Sequence, residues 1–360
     1  MSVETTRSMD RPVIRSVASA VPVYKHLQLD VYDAAKALFA ERGQDLSPFK
    51  NAFINTAIES RYSAVPLSWF FEKHTWTDRN AVYVSTSLDL LETAARKAMK
   101  KASVGPQDVT DILMLSTTGI STPSLEAQLM DRIPFKSNVR RTPIFGLGCA
   151  GGLIGLNRAA ELASQPGRTV LTLVVELCTL NFMRDELSKQ NIIATALFAD
   201  GAAAAVIQSS DLAANGPNRL CVSAQTEHRW ANSLDIMGWD VADEGLKVIF
   251  SRKIPGLVKN DFRPVMHLFL DEEKLALSDI QNFLSHPGGA KVIDELESVF
   301  QLPEGQMKES REILKNFGNM SAPTVLFVLE KAMDEGLKGR ALLSTFGPGF
   351  TTAMTLLEGT

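Results

Sequence analysis

The sequence repeats one order of elements twice, and this repetition restricts the fold more than any other feature. Each copy contains an apolar strand, a glycine-bearing turn, a helix with apolar residues three and four apart, a second turn and helix, and two further apolar strands. Corresponding segments lie roughly 170 residues apart along the chain. The four pairs are 108–133 with 275–300, 145–163 with 317–336, 169–176 with 340–347, and 202–208 with 351–357.

Four pairs in the same order predict an α/β protein built from two similar halves related by a pseudo-twofold axis. The apolar strands are expected to be covered by helices on both faces. We predict that residues 11–210 form the first half, that 211–360 form the second, and that 1–10 are a mobile tail. In such folds a site forms beyond the carboxyl ends of strands, where loops of both halves meet.

Composition excludes several classes of protein. The net charge of −4 does not indicate a basic surface that would bind nucleic acid or an anionic membrane. The N-terminus has no apolar signal region, and apolar runs such as 170–175 are too short to span a bilayer. Three cysteines without C-x-x-C spacing favour a reduced, cytoplasmic compartment, and five scattered histidines predict no metal site.

Three chemically useful side chains fall in the duplicated turns. Cys149 lies where FGLGCAGG turns into a helix, and Asn319 lies near the equivalent place in FGNMSAP. His286 begins the turn HPGG after the second half's earlier strand. Taken alone, each has an ordinary interpretation as a buried cysteine, a hydrogen-bonded histidine or a turn asparagine. Their joint position in equivalent turns favours a shared site at the axis.

The three residue types suit acyl transfer. The helix after Cys149 is expected to lower the pKa of its thiol, and Gly148, Gly151 and Gly152 to permit a sharp turn and close approach of a substrate. A cysteine with a histidine makes an activated nucleophile. His286 and Asn319 offer N–H donors for an oxyanion, each worth about 2.7–4 kcal/mol. No carboxylate stands in these motifs as a strong base, which fits a reaction driven by decarboxylation.

Together, FGLGCAGG, LSHPGG, NFGNMSAP and TFGPGF (345–350) resemble the motifs of type III polyketide synthases, the chalcone-synthase-like enzymes of the thiolase superfamily. The resemblance extends from about residue 12 to the C-terminus. It implies a thiolase-like, five-layer αβαβα fold and a homodimer. It also implies acyl-CoA and malonyl-CoA substrates, with neither a metal nor a redox cofactor.

The resemblance also implies roles for individual residues. Cys149 would carry the acyl chain as a thioester, while His286 and Asn319 promote malonyl decarboxylation and hold the enolate. Phe198 matches the gatekeeper between the CoA tunnel and the cavity. The other residues that the resemblance implies to contact the substrate are Thr117, Thr122, Cys178, Asn181, Trp239, Val248, Gly288, Gly289, Gly347, Pro348 and Gly349.

Departures from the plant enzymes bear on the product. Val248 stands where they have a second gatekeeper phenylalanine, which implies a larger cavity. Cys178 and Asn181 replace threonines, and Thr122 replaces a bulkier residue that reaches across the dimer interface. Cys178 and the segment MGWDV (237–241) resemble bacterial enzymes with an acyl-binding tunnel. These features imply a long fatty acyl starter and an alkylpyrone or alkylresorcinol product.

Delivery of the starter is left open by the sequence. Plant members carry several basic residues on an early helix that contact CoA phosphates, whereas here only Lys50 precedes the matching pair Arg61-Tyr62. Other basic residues would then contact CoA, or the starter would arrive on an acyl carrier protein.

Three other functions compete with this interpretation. A single-step 3-oxoacyl synthase shares the order Cys, His, Asn, but the TFGPGF and HPGG motifs favour the polyketide enzymes. A papain-like hydrolase has the same order too, but its C-G-[SA]-C-[WY] signature is absent. A non-catalytic scaffold predicts the loss of at least one of the three residues, and all three are present.

Overall fold

The computed structural model describes residues 11–186, 188–213 and 220–359; the predicted mobile tail, 1–10, lies outside the described residues. The strands are β1 (Val13–Ala20), β2 (Tyr24–Leu27), β3 (Ser60–Ser63), β4 (Asp111–Leu115), β5 (Arg140–Ile144), β6 (Thr169–Leu177), β7 (Asp200–Gln208), β8 (Leu220–Arg229), β9 (Met237–Ala242), β10 (Gly245–Phe250), β11 (Asn282–Ser285), β12 (Gly339–Gly347) and β13 (Thr351–Gly359). The helices are α1 (Gln28–Ala40), α2 (Lys50–Ile54), α3 (Trp76–Ala102), α4 (Leu125–Leu129), α5 (Gly151–Ala163), α6 (Lys189–Leu197), α7 (Ser210–Ala213), α8 (Ile254–Leu257), α9 (Arg263–Glu272), α10 (Ala290–Val299), α11 (Lys308–Phe317) and α12 (Thr324–Asp334).

The long strands of the described chain join in the order β11-β12-β13-β8-β1-β7-β6-β4-β5. In the first half β4 runs parallel to β6, and β6, β7 and β1 are antiparallel in turn. The second half repeats this arrangement, with β11 parallel to β12 and with β12, β13 and β8 antiparallel in turn. The halves join where β1 pairs with β8. This matching order confirms the predicted duplication.

Alternate side chains of the long strands enter different cores, because successive residues of a strand point to opposite faces. In β6, Leu171 belongs to the core with α3, whereas Val174 belongs to the central core with α5. In β12, Leu342 packs with α10 and Leu343 belongs to the central core with α12. Helices α5 and α12 therefore form a middle layer between the first-half and second-half parts of the sheet, with α3 outside the first part and α9 and α10 outside the second. This confirms the predicted thiolase-like αβαβα architecture.

The two halves differ in their last segment. β6 and β12 begin 170 residues apart, as the sequence predicts, but β7 and β13 begin only 151 residues apart. The first half inserts residues 178–199, including α6, between β6 and β7, whereas β12 turns into β13 through residues 348–350. The prediction of one constant spacing is therefore wrong for the last pair.

A smaller group of elements lies beside the large sheet. Tyr32 and Phe39 of α1, Phe53 of α2 and Ile192 of α6 form a separate apolar core. The hairpin β9–β10 contacts α6 and the turn at residues 178–181. The insertion and these elements supply the walls of the cavity described below.

Candidate active site

Cys149 lies in a single helical turn, residues 148–150, that leads directly into α5. Its side chain is buried. The turn requires glycine at position 148, where φ is +46° and a Cβ atom would lie 2.7 Å from Cγ of Pro348. The thirteen-residue helix α5 directs its N-terminal N–H groups and positive dipole end toward this turn.

The glycines after Cys149 allow the two halves to pack closely. A Cβ atom on Gly152 would lie 2.1 Å from the carbonyl oxygen of Ala322, and one on Gly151 would lie 3.3 Å from Cβ of Ala322. The prediction that these two glycines leave room for a substrate is therefore wrong. Their small size instead lets the start of α5 lie against the turn of the second half.

Ser321 contacts the nucleophile and was missed by sequence reasoning. Its hydroxyl oxygen lies 3.4 Å from Sγ of Cys149. The motifs FGLGC and FGNMS place Cys149 and Ser321 at equivalent positions of the two halves. This alignment is the signal that identifies Ser321, because equivalent residues near a pseudo-twofold axis approach one another.

Asn319 is fully buried, and its backbone lies beside the chain segment that carries Phe198. Its N–H donates to the carbonyl of Leu197 at 3.0 Å, and its carbonyl accepts from the N–H of Ala199 at 2.9 Å. Its side-chain Oδ1 accepts from the N–H of Ser321 at 2.8 Å, which fixes the orientation of the amide. The predicted gatekeeper is thus positioned directly by the segment that holds Asn319.

His286 follows β11, and its N–H donates to the carbonyl of Ser344 at 2.9 Å. The side chain is 3% exposed, and neither ring nitrogen has a hydrogen-bond partner among the described residues. Nδ2 of Asn319 donates to the carbonyl of Gly288 in the same turn at 3.2 Å. Gly288 donates its own N–H to the carbonyl of His286, so the turn is closed on itself.

A short series of contacts links the three predicted catalytic residues. Cys149 contacts Ser321, Ser321 is bonded to Asn319, and Asn319 is bonded to the turn that begins at His286. The structure therefore brings together two turns of the second half and the nucleophile turn of the first. Burial gives this region a low dielectric, in which each polar contact is stronger than in water.

Burial shifts the pKa values of Cys149 and His286 in opposite directions. It raises the pKa of the Cys149 thiol to about 12, although the hydroxyl of Ser321 acts to lower it. It lowers the pKa of His286 to about 3. The prediction that the helix lowers the thiol pKa is wrong for this enclosed state, because desolvation outweighs the helix terminus. The site favours a neutral thiol and a neutral imidazole, and the imidazole can accept a proton when the thiol reacts.

Thr117 stabilises the nucleophile turn through a hydrogen bond. Its hydroxyl oxygen accepts from the N–H of Gly148 at 3.1 Å, and its own N–H donates to Oε2 of Glu176 at 2.9 Å. The hydroxyl of Thr118 also donates to this oxygen, at 2.7 Å. Glu176 is fully buried, and burial raises its pKa to about 7. Sequence reasoning missed Glu176, two residues before Cys178, because its contacts with Thr117 and Thr118 are visible only in the fold.

The loop of residues 347–349 lies against the nucleophile turn, which agrees with its predicted place at the site. A Cβ atom on Gly347 would lie 2.5 Å from Cβ of Ala150, so no larger residue fits there. Pro348 faces Gly148, and Gly349 has φ of +69°. Thr122 lies apart from these residues, exposed in the turn before α4.

Five of the predicted substrate residues line one apolar cavity: Cys178, Asn181, Phe198, Trp239 and Val248. The space among its walls, including the part that is open to solvent, is about 680 Å³. Trp239 and Val248 face each other across the β9–β10 hairpin. The other walls come from α1, α6 and the segments around residues 67–71 and 178–182; their side chains are those of Val31, Ala34, Ala35, Leu38, Leu67, Phe70, Phe71, Thr179, Phe182, Asn191, Ala194 and Thr195.

Gly288 and Gly289 line a second, open cleft of about 1280 Å³. Ala52 of α2 and Asn55, the residue that follows this helix, also line the cleft, and α2 begins at Lys50. Arg252 and Lys291 also line it, and sequence reasoning missed both. They come from segments of the chain that no local motif connects, so only the fold shows that they share a cleft.

The family of the chain follows from comparison with known proteins. The model "Chalcone and stilbene synthases, N-terminal domain" matches residues 66–211, and the model of the C-terminal domain matches residues 222–360. The chain belongs to the type III polyketide synthases. A putative chalcone synthase of Bacillus subtilis is 36% identical over 358 residues, covering 96% of this chain and 98% of that protein.

Other relatives of this synthase have named products. The 1,3,6,8-tetrahydroxynaphthalene synthase of Streptomyces peucetius is 32% identical over 351 residues, covering 96% of this chain and 92% of that protein. The crystal structure of the corresponding Streptomyces coelicolor enzyme has a TM-score of 0.89 at 25% identity and covers 96% of this chain and 98% of that one. A polyketide synthase of the brown alga Ectocarpus siliculosus has a TM-score of 0.90 at 25% identity, with coverage of 99% and 100%.

The synthase is therefore an acyltransferase that condenses malonyl units from CoA thioesters. Within the described residues, no group of three or more His, Cys, Asp or Glu side chains is arranged to hold a metal ion. No helix in the described part of the chain is long and apolar enough to cross a membrane.

Proposed function

We propose that the synthase loads a long fatty acyl group from acyl-CoA, extends it with malonyl-CoA, and releases a cyclised alkylpyrone or alkylresorcinol. The observation that carries the proposal is the apolar cavity beside Phe198. Its walls are mostly aliphatic and aromatic, and Val248 leaves space that an aromatic residue would fill. Each methylene buried in such a cavity contributes about 0.8 kcal/mol, so a long chain gains more than a short one.

Loading begins at the buried sulfur. Cys149 Sγ attacks the thioester carbonyl while its proton passes to a ring nitrogen of His286, and the CoA thiolate leaves and takes up a proton. The free nitrogens of His286 support this role, because no other described group competes for them. The product of this step is an acyl group on Cys149 and free CoA.

The extension step needs hydrogen-bond donors to the enolate oxygen rather than a strong base. Malonyl-CoA loses CO₂, and the enolate oxygen is held by His286 and by the N–H of Asn319 that is not used on Gly288. The enolate carbon then attacks the acyl carbonyl, the bond to Cys149 breaks, and the released thiolate takes up a proton from solvent to restore the thiol. Repeating loading and extension lengthens the chain until it cyclises and leaves.

The open cleft lined by Gly288 and Gly289 suits the CoA part of both substrates. Arg252 and Lys291 supply positive charge for the CoA phosphates, because the early helix contributes only Lys50. An acyl carrier protein with its phosphopantetheine arm would use the same cleft. A substrate assay with the acyl group on CoA and on a carrier protein separates the two routes.

We also propose a cytoplasmic homodimer joined near β5. This strand is the last of the sheet, and residues 140–143 are exposed. Ile120 and Phe145, beside it, are 55% and 60% exposed. An exposed edge strand with apolar neighbours is a surface that a second copy covers. Light scattering should give twice the mass of one chain, and a monomer would contradict the proposal.

Mass spectrometry of products tests the main proposal. The enzyme is incubated with malonyl-CoA and with acyl-CoAs from acetyl to palmitoyl. We expect ring-containing products of two or more extensions, with higher kcat/KM for long chains. A single β-keto extension would indicate a 3-oxoacyl synthase instead, and equal kcat/KM for hexanoyl- and palmitoyl-CoA would contradict a long-chain starter.

A further inference from the structure

The apolar cavity contains a hydrogen-bond acceptor that its other walls leave unsatisfied. Asn181 lines the cavity and is 5% exposed. Its Oδ1 atom is buried and has no hydrogen-bond partner among the described residues. Among the buried polar atoms of the described residues that lack a partner, it is the one whose side chain lines this cavity, and a buried unpaired atom needs an explanation.

The orientation of the Asn181 amide is fixed by its other end. Nδ2 donates to the backbone carbonyl of Thr118 at 2.9 Å. A carbonyl oxygen only accepts hydrogen bonds, so the amide nitrogen must face it and a flipped amide would place two acceptors together. The amide oxygen is therefore the end of this side chain that has no hydrogen-bond partner among the described residues.

Three other polar side chains of the cavity, those of Thr179, Asn191 and Thr195, already donate hydrogen bonds within the protein. The hydroxyl of Thr195 donates to the carbonyl of Asn191 at 2.7 Å, and that of Thr179 donates to Asp200. Nδ2 of Asn191 donates to the carbonyls of Met183 and Glu186. Among the described side chains that line the cavity, Asn181 is the one with a buried polar atom that has no hydrogen bond, and a donor on the substrate would pair with it.

An unsubstituted alkyl chain would cover this oxygen without bonding it. Leaving a buried acceptor unpaired reduces binding by a factor of about 5 to 150. A ketone or carboxylate on the chain would be worse, because it presents another acceptor. A hydroxyl group at the right carbon donates to Oδ1 and removes this loss.

We propose that the cavity takes acyl chains that carry a hydroxyl group, and that Oδ1 of Asn181 accepts its hydrogen bond. This inference rests on the proposed function, because it names the kind of acyl starter that the same cavity selects. The hydroxyacyl thioester is the preferred substrate, and the matching unsubstituted chain is a poorer one.

The test compares chains that differ only in the hydroxyl. kcat/KM is measured with malonyl-CoA for decanoyl-CoA and for a series of monohydroxydecanoyl-CoAs, with the hydroxyl at each carbon from 3 to 10. We expect one position to exceed decanoyl-CoA by about tenfold or more. If no position exceeds decanoyl-CoA by twofold, the inference is overturned while the proposed function stands. If the enzyme extends none of these acyl-CoAs, both are overturned.

Two substitutions of Asn181 identify the acceptor. In Asn181→Leu the hydroxyl preference should disappear, with a lower kcat/KM for the hydroxyl chain and an equal or higher one for decanoyl-CoA. Asn181→Ala is measured in parallel. Alanine also lacks the acceptor, and its smaller side chain keeps the test available if the leucine variant does not fold. Thr195→Val is the matched control, because its hydroxyl is already engaged, and it should keep the preference. A preference that survives in both Asn181 variants, or an equal loss for both substrates, would overturn the assignment.

Discussion

Replacing Val248 by phenylalanine should shorten the acyl chain that the synthase accepts. Val248 lies on β10 opposite Trp239 and lines the apolar cavity together with Phe198. A phenylalanine ring at this position enters the space that the chain would occupy. Because the strand is held in register by the hairpin, the ring cannot turn to solvent without breaking that pairing.

The size of the effect follows from the volume lost. Each buried methylene contributes about 0.8 kcal/mol, which is about a fourfold gain in kcat/KM per added carbon until the cavity is full. The larger ring takes the space of roughly two methylenes, so the longest chains lose about 1.6 kcal/mol, or about 15-fold. Chains too short to reach Val248 keep their kcat/KM.

The assay is kcat/KM against chain length, from hexanoyl- to palmitoyl-CoA, for the wild type and Val248→Phe. The variant's curve should level off about two carbons earlier. Val241→Phe is the control, because it adds the same ring to the same hairpin at a position that is 81% exposed. Identical curves for the wild type and Val248→Phe would refute the assignment of this cavity to the acyl chain.

Three further predictions concern the buried groups. Since burial raises the pKa of Cys149 to about 12, inactivation by iodoacetamide without acyl-CoA should accelerate about tenfold per pH unit between pH 7 and 10; a rate that stays constant over this range would contradict the prediction. His286→Ala and Asn319→Ala should each slow malonyl-CoA decarboxylation, followed as CO₂ release, by about 10² or more, and wild-type rates would exclude these roles. Burial raises the pKa of Glu176 from 4.5 to about 7, so its stabilising contribution is complete below pH 4.5 and is lost as pH rises through 7. Glu176→Gln should therefore lose less Tm than the wild type between pH 5 and 8; equal losses would contradict it.

The sequence predicted the halves, the layers and the catalytic motifs because these depend on local patterns. Apolar strands, glycine turns and helix periodicity are readable over short windows, and their repetition gives the architecture. The spacing of the last strand pair was misjudged because one offset of roughly 170 residues was applied to all four pairs, whereas 202–208 and 351–357 begin 149 residues apart. Only the pairing of β7 with β6 and β1 shows where the insertion ends.

The environment of the site was harder to predict than its members. The expected fall in the pKa of Cys149 used the helix terminus, which is visible in sequence, but omitted burial, which is not. Glu176 and Arg252 were missed because most of their partners in the site come from other segments of the chain, and Lys291 was missed although it lies two residues after the HPGG turn. Asn181 was selected from family resemblance, but the unpaired oxygen that gives it a definite role depends on its contact with Thr118.

The contact between Cys149 and Ser321 explains why a duplicated chain cannot stay symmetric at its centre. If both copies of the motif carried cysteine, two thiols would stand within reach of each other and oxidation would join them, removing the nucleophile. A serine in the second half keeps a polar neighbour for the sulfur of Cys149 and cannot form a disulfide with it. Ser321→Cys should accordingly produce an enzyme that is active in the presence of a reductant and is inactivated by mild oxidants.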